Sequence, residues 1–266
     1  MATPIERYGQ VWLKRDDKFS VAGSHGGKAR TCEHIIRTAK AAGAPGVVTA
    51  GSRHSPQVEI VAAIAAHYGM PCRAYVPGGA DTEQTQAALD RGAHLERVRP
   101  GHNSVIVARA REYAQAHGWG EVPFGMETPV AVDMTARQVG NLPSTLRRIV
   151  VPVGSGMTLC GVVQGLAANG RTDISVLGVR VGADPSKRLA RYAPPMYGGV
   201  QLEVVQSVLK YDQRPEVTTY QGVELDPVYE AKCVPYLQPG DMLWVVGRRG
   251  LDKEGRGEQQ EQRAAL

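Results

Sequence analysis

Short apolar, β-branched runs alternate with longer stretches of helical spacing along most of this 266-residue chain. That alternation predicts strand–helix units and a largely parallel sheet. Val11–Arg15 reads as an opening strand. Helices are predicted over 31–42, 57–68 and 82–91, with strands over 46–50, 71–76 and 93–98. Gly43, Gly69 and the run Pro77-Gly78-Gly79 supply the stops. These three strand–helix units predict a small α/β domain over 31–118. Beyond Trp119 the chain is richer in glycine and proline, and then the pattern returns. Strands are predicted over Arg148–Val153, 175–181 and 241–246, with a helix running to Ala168. Residues 1–30 plus 119–251 are therefore expected to form a larger domain. Residues 252–266 are Gln-, Glu- and Arg-rich and read as a disordered tail. There is no internal repeat.

Composition adds little to this picture but excludes several classes. Apolar residues make up 42% of the chain, enough for a true core, and aromatics only 6%. The net charge of +5 and pI near 9.1 suit an anionic cofactor or substrate as well as nucleic acid. Cys32, Cys72, Cys160 and Cys233 are far apart, without a CxxC pair. Neither zinc-ligand spacing nor a disulfide framework is expected, and a reducing, cytoplasmic setting is. The first residues lack the apolar stretch of a signal peptide, and the apolar segment 58–70 is interrupted by Glu59 and His67.

Four places carry candidate chemistry. Lys28 follows two glycines in Ser24-His25-Gly26-Gly27-Lys28-Ala29-Arg30, a tight turn that presents a lone lysine. A buried lysine has a depressed pKa, so its neutral amine can form a Schiff base, as a pyridoxal-phosphate enzyme requires. Gly154-Ser155-Gly156-Met157-Thr158 follows a strand and opens a helix, where backbone N–H groups and the helix dipole make an anion site. It is not a Walker loop, because no Gly-Lys-Ser/Thr follows. Gly51-Ser52-Arg53-His54-Ser55-Pro56-Gln57 joins a strand to an alanine-rich helix. Ser55 is a good N-cap and Pro56 a good first helical residue, and Ser52 is placed to meet a carboxylate. The fourth is Leu225-Asp226-Pro227-Val228-Tyr229-Glu230-Ala231-Lys232.

Taken in chain order, and with Asp16-Asp17 after the first strand, these motifs resemble the 1-aminocyclopropane-1-carboxylate deaminase/D-cysteine desulfhydrase family. That family belongs to the fold-type II, tryptophan-synthase β-like pyridoxal-phosphate enzymes. The resemblance implies two open parallel-sheet α/β domains with pyridoxal 5'-phosphate in the cleft between them, and a homodimer. It implies that Lys28 carries the cofactor as a Schiff base. Gly154, Ser155, Gly156 and Thr158 would bind the phosphate, with Met157 replacing a small residue. Ser52 matches the serine near the substrate carboxylate, Tyr229 the tyrosine facing the substrate, and Glu230 the residue opposite the pyridine nitrogen. A carboxylate there keeps the ring protonated and strengthens it as an electron sink.

The chain also departs from the family. Arg53 stands beside His54 where the family has an asparagine contacting the cofactor, and Gly27 replaces another asparagine before the lysine. The segment between Ser52 and the phosphate loop is short, and Val246-Gly247-Arg248-Arg249 replaces a His-Thr-Gly-Gly-like stretch. The expected function is a deaminase or lyase acting on a small amino acid through a Cα carbanion. An alternative is a decarboxylase or lyase acting on an amino acid carried on a modified base in DNA, met by Arg147, Arg148, Arg180, Lys187, Arg188, Arg191, Arg248 and Arg249. A non-catalytic cofactor-binding protein is the third reading.

Overall fold

A computed structural model describes residues 2–99, 101–182, 184–193 and 198–248. In chain order the strands and helices begin β1 (Ile5–Tyr8), β2 (Val11–Arg15), β3 (Ser20–Val21), β4 (Ser24–His25), α1 (Gly26–Ala41), β5 (Val47–Ala50) and α2 (Pro56–His67). There follow β6 (Cys72–Pro77), α3 (Glu83–Asp90), β7 (His94–Val98), α4 (Asn103–His117), β8 (Gly120–Val122) and α5 (Pro129–Ala136). The remainder comprises β9 (Arg148–Val153), α6 (Met157–Ala168), β10 (Ser175–Arg180), α7 (Ser186–Tyr192), β11 (Leu202–Gln206), β12 (Thr219–Tyr220), β13 (Val223–Glu224) and β14 (Met242–Val245).

The chain divides into two compact units, one of Met1–Phe19 with Glu127–Arg248 and one containing Ser20–Met126. The sequence reading draws these divisions at 30/31 and 118/119 instead. Two pairings account for the difference. The β3–β4 hairpin packs on α1, and β8 pairs in parallel with β5. Residues 249–251 and the tail expected over 252–266 lie outside the described residues.

The Ser20–Met126 unit is built on a parallel sheet of order β7-β6-β5-β8. All four residues of β5 are buried, as expected of a central strand covered on both faces. Helix α2 is buried nearly all round, and its alanines allow that close packing. Ser55 caps it, its Oγ accepting from the Gln57 N–H at 3.3 Å, with Pro56 at the first helical position. That part of the sequence reading holds. The start of α1 does not. It begins at Gly26 rather than at residue 31, so Lys28 lies within the first helical turn and not on a turn ahead of it. Gly26, at φ +89°, takes the chain from extended His25 straight into the helix, a step a side chain would strain.

The other unit carries a six-stranded sheet of order β1-β2-β14-β9-β10-β11, parallel except for the β1–β2 pair. Its core includes Leu13, Val150, Val179, Leu243 and Val245. Lys14, fully buried on β2, donates from Nζ to the Thr3 carbonyl at 2.8 Å and to Asn141 Oδ1 at 3.1 Å. Asp16 accepts from Thr3 Oγ1 at 3.2 Å and from Trp244 Nε1 at 3.4 Å. Buried charges are tolerated only when satisfied in this way, and the network ties the chain start to β2, β14 and the 3-10 turn Arg137–Asn141.

Helices α5 and α6 approach closely because Gly161 and Gly165, one turn apart, face α5. A Cβ at 165 would lie 2.6 Å from the Ala136 carbonyl oxygen and 2.6 Å from Val139 Cγ2. Gly165→Ala is expected to lower the unfolding free energy by about 1 kcal/mol. Overpacking costs roughly 1–3 kcal/mol, against a helix-propensity gain of about 1 kcal/mol. Urea titration checks it, and equal stability would show that α5 yields.

Candidate active site

The sequence-predicted site residues fall in both units. Gly154, Ser155, Gly156, Met157, Thr158, Tyr229 and Glu230 belong to the six-stranded unit, and Lys28, Ser52, Arg53 and His54 to the four-stranded one.

In the six-stranded unit these residues follow the C-terminal ends of the neighbouring strands β9 and β14 or lie against them, the edge where open parallel sheets place their ligands. The loop Gly154–Gly156 leaves β9, and α6 begins at Met157. Gly156 caps that helix in a left-handed conformation (φ +91°), and no side chain caps it. A helix start of this kind offers backbone N–H groups and positive dipole to an anion. Both glycines are required by what touches them. A Cβ at 154 would lie 2.8 Å from Tyr229 Cε1, and one at 156 would lie 2.9 Å from Pro185 Cβ. Tyr229 therefore packs directly against the phosphate-loop candidate.

The segment that holds Tyr229 is fixed by Asp226, whose Oδ1 accepts from the backbone N–H groups of Val228 at 2.7 Å and Tyr229 at 3.1 Å. Glu230 follows and is fully buried. Its Oε1 accepts from the N–H of Val246 at 2.6 Å and of Gly247 at 3.3 Å, the residues just past β14. Its Oε2 is buried with no hydrogen-bond partner. Burial pushes the Glu230 carboxyl well above the usual carboxylate range, and the charge of Asp226 adds to this while the amides on Oε1 oppose it.

Sequence reasoning missed one neighbour. Tyr211 sits edge-on to Tyr229, ring centroids 6.4 Å apart, with the two hydroxyls at 3.5 Å. It lies in an irregular polar stretch, where neither periodicity nor spacing signals it.

In the four-stranded unit Lys28 is half-buried in the first turn of α1. Ser52 is half-buried and His54 exposed. The Ser52 carbonyl accepts from the Ser55 N–H at 3.0 Å, closing the turn that leads into α2. Arg53 reaches across to the β6–α3 loop, donating from Nη1 to the Ala80 carbonyl. Its guanidinium lies over Gly79, where a Cβ would come within 2.6 Å of Cζ.

A family described as pyridoxal-phosphate dependent enzyme matches residues 2–226. The chain belongs to that family. Among its relatives, the 1-aminocyclopropane-1-carboxylate deaminase of Burkholderia cenocepacia is 28% identical over 85% of this chain and 79% of its own. The enzyme of the same name from Methylobacterium nodulans is 28% identical over 87% and 84%. The structure of an ACC deaminase homologue superposes with a TM-score of 0.76, covering 100% of this chain and 94% of that one at 21% identity. Maize serine racemase superposes at 0.64 and 15% identity, over 99% and 92%. The fold is thus that of the fold-type II pyridoxal-phosphate enzymes.

The residues present fit this family's cofactor. The buried, unpartnered Oε2 of Glu230 suits a protonated ring nitrogen, and the glycine loop with its uncapped helix start suits a phosphate.

Glu230 has a consequence for stability. A carboxyl whose pKa is raised in the folded protein binds its proton more tightly there than in the unfolded chain. Stability without cofactor therefore falls as pH rises from the usual carboxylate value of about 4.3 toward the raised folded value. Glu230→Gln removes this slope. Thermal unfolding of the cofactor-free proteins is expected to show the variant gaining on the parent from pH 5 to pH 8. Parallel curves would show that Glu230 ionises normally.

Proposed function

We propose that this chain is a lyase or deaminase that acts on a small, free amino acid with pyridoxal 5'-phosphate bound through Lys28. The observation that carries the reading is the Glu230 carboxyl, enclosed and with one oxygen left without a partner. An orphaned buried carboxyl oxygen is costly, and a cationic ring nitrogen offsets that cost. Lys28 Nζ supplies the amine that holds the cofactor. The N–H groups of the 154–158 loop hold its phosphate, with Ser155 and Thr158 adding hydroxyl donors. Glu230 keeps a proton at the ring nitrogen. Once bound, the cofactor supplies an electron sink for bond breaking at the substrate Cα. Tyr229, packed on Gly154, offers its hydroxyl to the substrate, and Ser52 Oγ and the helix start of α2 offer donors to a carboxylate. Ser52 and Lys28 are also the groups able to carry protons to and from the substrate.

A free amino acid is preferred to a DNA-linked one because four of the eight cations considered for a carrier already face carboxylates. Arg147 meets Asp173 at 3.0 Å and Arg148 meets Asp241 at 2.6 Å. Arg188 and Arg191 both face Glu127, at 2.8 and 3.7 Å. Arg180 donates to Gln206 at 2.6 Å. Arg249 lies outside the described residues.

Purified protein given pyridoxal 5'-phosphate is expected to develop a visible absorbance band. Borohydride should then fix the cofactor mass on the Lys28 peptide, and Lys28→Ala should show neither effect. Incubation with 1-aminocyclopropane-1-carboxylate, D-cysteine and a panel of free amino acids should release ammonia and a 2-oxo acid from at least one. A colourless protein would falsify the cofactor assignment, and release of CO2 without ammonia would replace the deaminase by a decarboxylase.

A further inference from the structure

Lys232 closes the run that contains Asp226, Tyr229 and Glu230, yet no role falls to it in the reading above. It is only 3% exposed. Enclosing an ammonium group is expensive unless its hydrogens meet acceptors. Here the acceptors come from a distant part of the chain. Nζ donates to the carbonyl of Lys210 at 2.5 Å and to that of Tyr211 at 3.3 Å. Its backbone N–H donates to the Tyr229 carbonyl at 3.2 Å. One residue thus ties the turn that carries Tyr229 to the irregular segment that carries Tyr211.

That segment is held at its two ends, where the Ser207 N–H donates to the Arg180 carbonyl at 2.9 Å and the Thr218 carbonyl accepts from the Leu225 N–H at 2.8 Å. It has no regular secondary structure between β11 and β12, and Val208 and Val217 are largely exposed. Its internal bonds run from the Lys210 N–H to Gln213 Oε1 at 2.8 Å and from Arg214 Nη1 to the Tyr211 carbonyl at 3.1 Å. These close the turn on itself without attaching it to the sheet. Tyr211 in turn lies edge-on to Tyr229, and Tyr229 covers Gly154.

We propose that Lys232 is a positioning residue whose buried ammonium clamps the Lys210–Tyr211 backbone, seating Tyr211 against Tyr229 and so holding Tyr229 on the phosphate loop. The proposal rests on the cofactor assignment only in its binding readout.

Two measurements on the full chain test it. In limited trypsinolysis, Lys232→Met should speed cleavage after Lys210 roughly tenfold, with other sites unchanged, since hydrogen bonds to a charged group are the stronger ones. In absorbance titration with pyridoxal 5'-phosphate, Lys232→Met and Tyr211→Ala should each weaken binding by about fivefold to tenfold, and the double variant no further, because both act through one contact. Lys232→Gln, which keeps a donor, should recover part of the loss. Uniformly raised cleavage, or additive losses of affinity, would mean that Lys232 only stabilises the fold and would overturn the proposal. Should Lys232→Met not fold, Tyr211→Ala, on the surface, decides the matter: unchanged cofactor affinity at unchanged melting temperature overturns it. A parent protein that binds no cofactor would sink the cofactor assignment, while the trypsin arm would still test the clamp.

Discussion

The arrangement of the six-stranded unit turns on a carboxyl group taken out of water. Glu230 is enclosed by the strand ends, with one oxygen tied to the two amides beyond β14 and the other without a partner. Those amides can reach it only because β14 ends at Val245, beside the end of β9. The phosphate-loop candidate leaves that neighbouring strand. Parallel strands discharge their loops at one edge of a sheet, which is why such sheets bind ligands there. The anion-binding helix start and the buried acid are thus products of one topological fact. On the proposed assignment, donors for a phosphate and a carboxyl for a ring nitrogen would serve the two ends of one cofactor.

The fold was legible where the physics is local. Val11–Arg15 and Arg148–Val153 match strands in the structure, because continuous apolar runs between turn residues have few alternatives. Ser55 and Pro56 marked the start of α2 for the same reason. The start of α1 departs from its pattern because two glycines ordinarily end a helix. Gly26 uses its freedom at positive φ to enter one instead. Helix α4, the short β8 and the edge strands β1 and β11 went unassigned, since their burial is partial and their pattern weak. Non-local pairing sets the unit boundaries, and no single stretch announces it.

Site residues divide in the same way. Glycines at 154 and 156 advertise a close approach, and the structure shows what approaches: the Tyr229 ring and Pro185. Glu230 was named from its place in a resemblance, but its unpartnered oxygen is a property of packing alone. Tyr211 and the bond from Lys232 to Lys210, 22 residues apart, leave no trace in spacing. Their partners are chosen by a chain path through irregular backbone, the level at which sequence patterns carry least information.

Arg53 shows how a departure from a family pattern can be absorbed locally. The resemblance places an asparagine there that contacts the cofactor, so an arginine invites the expectation of a cation aimed into the site. The structure instead turns the guanidinium onto the loop after β6, where it donates to the Ala80 carbonyl. This placement needs residue 79 to lack a side chain, and Gly79, at φ +145°, satisfies the space and the backbone together. Thr82 Oγ1 closes the contact from the other side by donating to the Arg53 carbonyl. Arg53, Gly79 and Thr82 therefore meet in one local contact. The substitution thus changes the site by bracing the turn that carries Ser52 more than by adding a mobile charge.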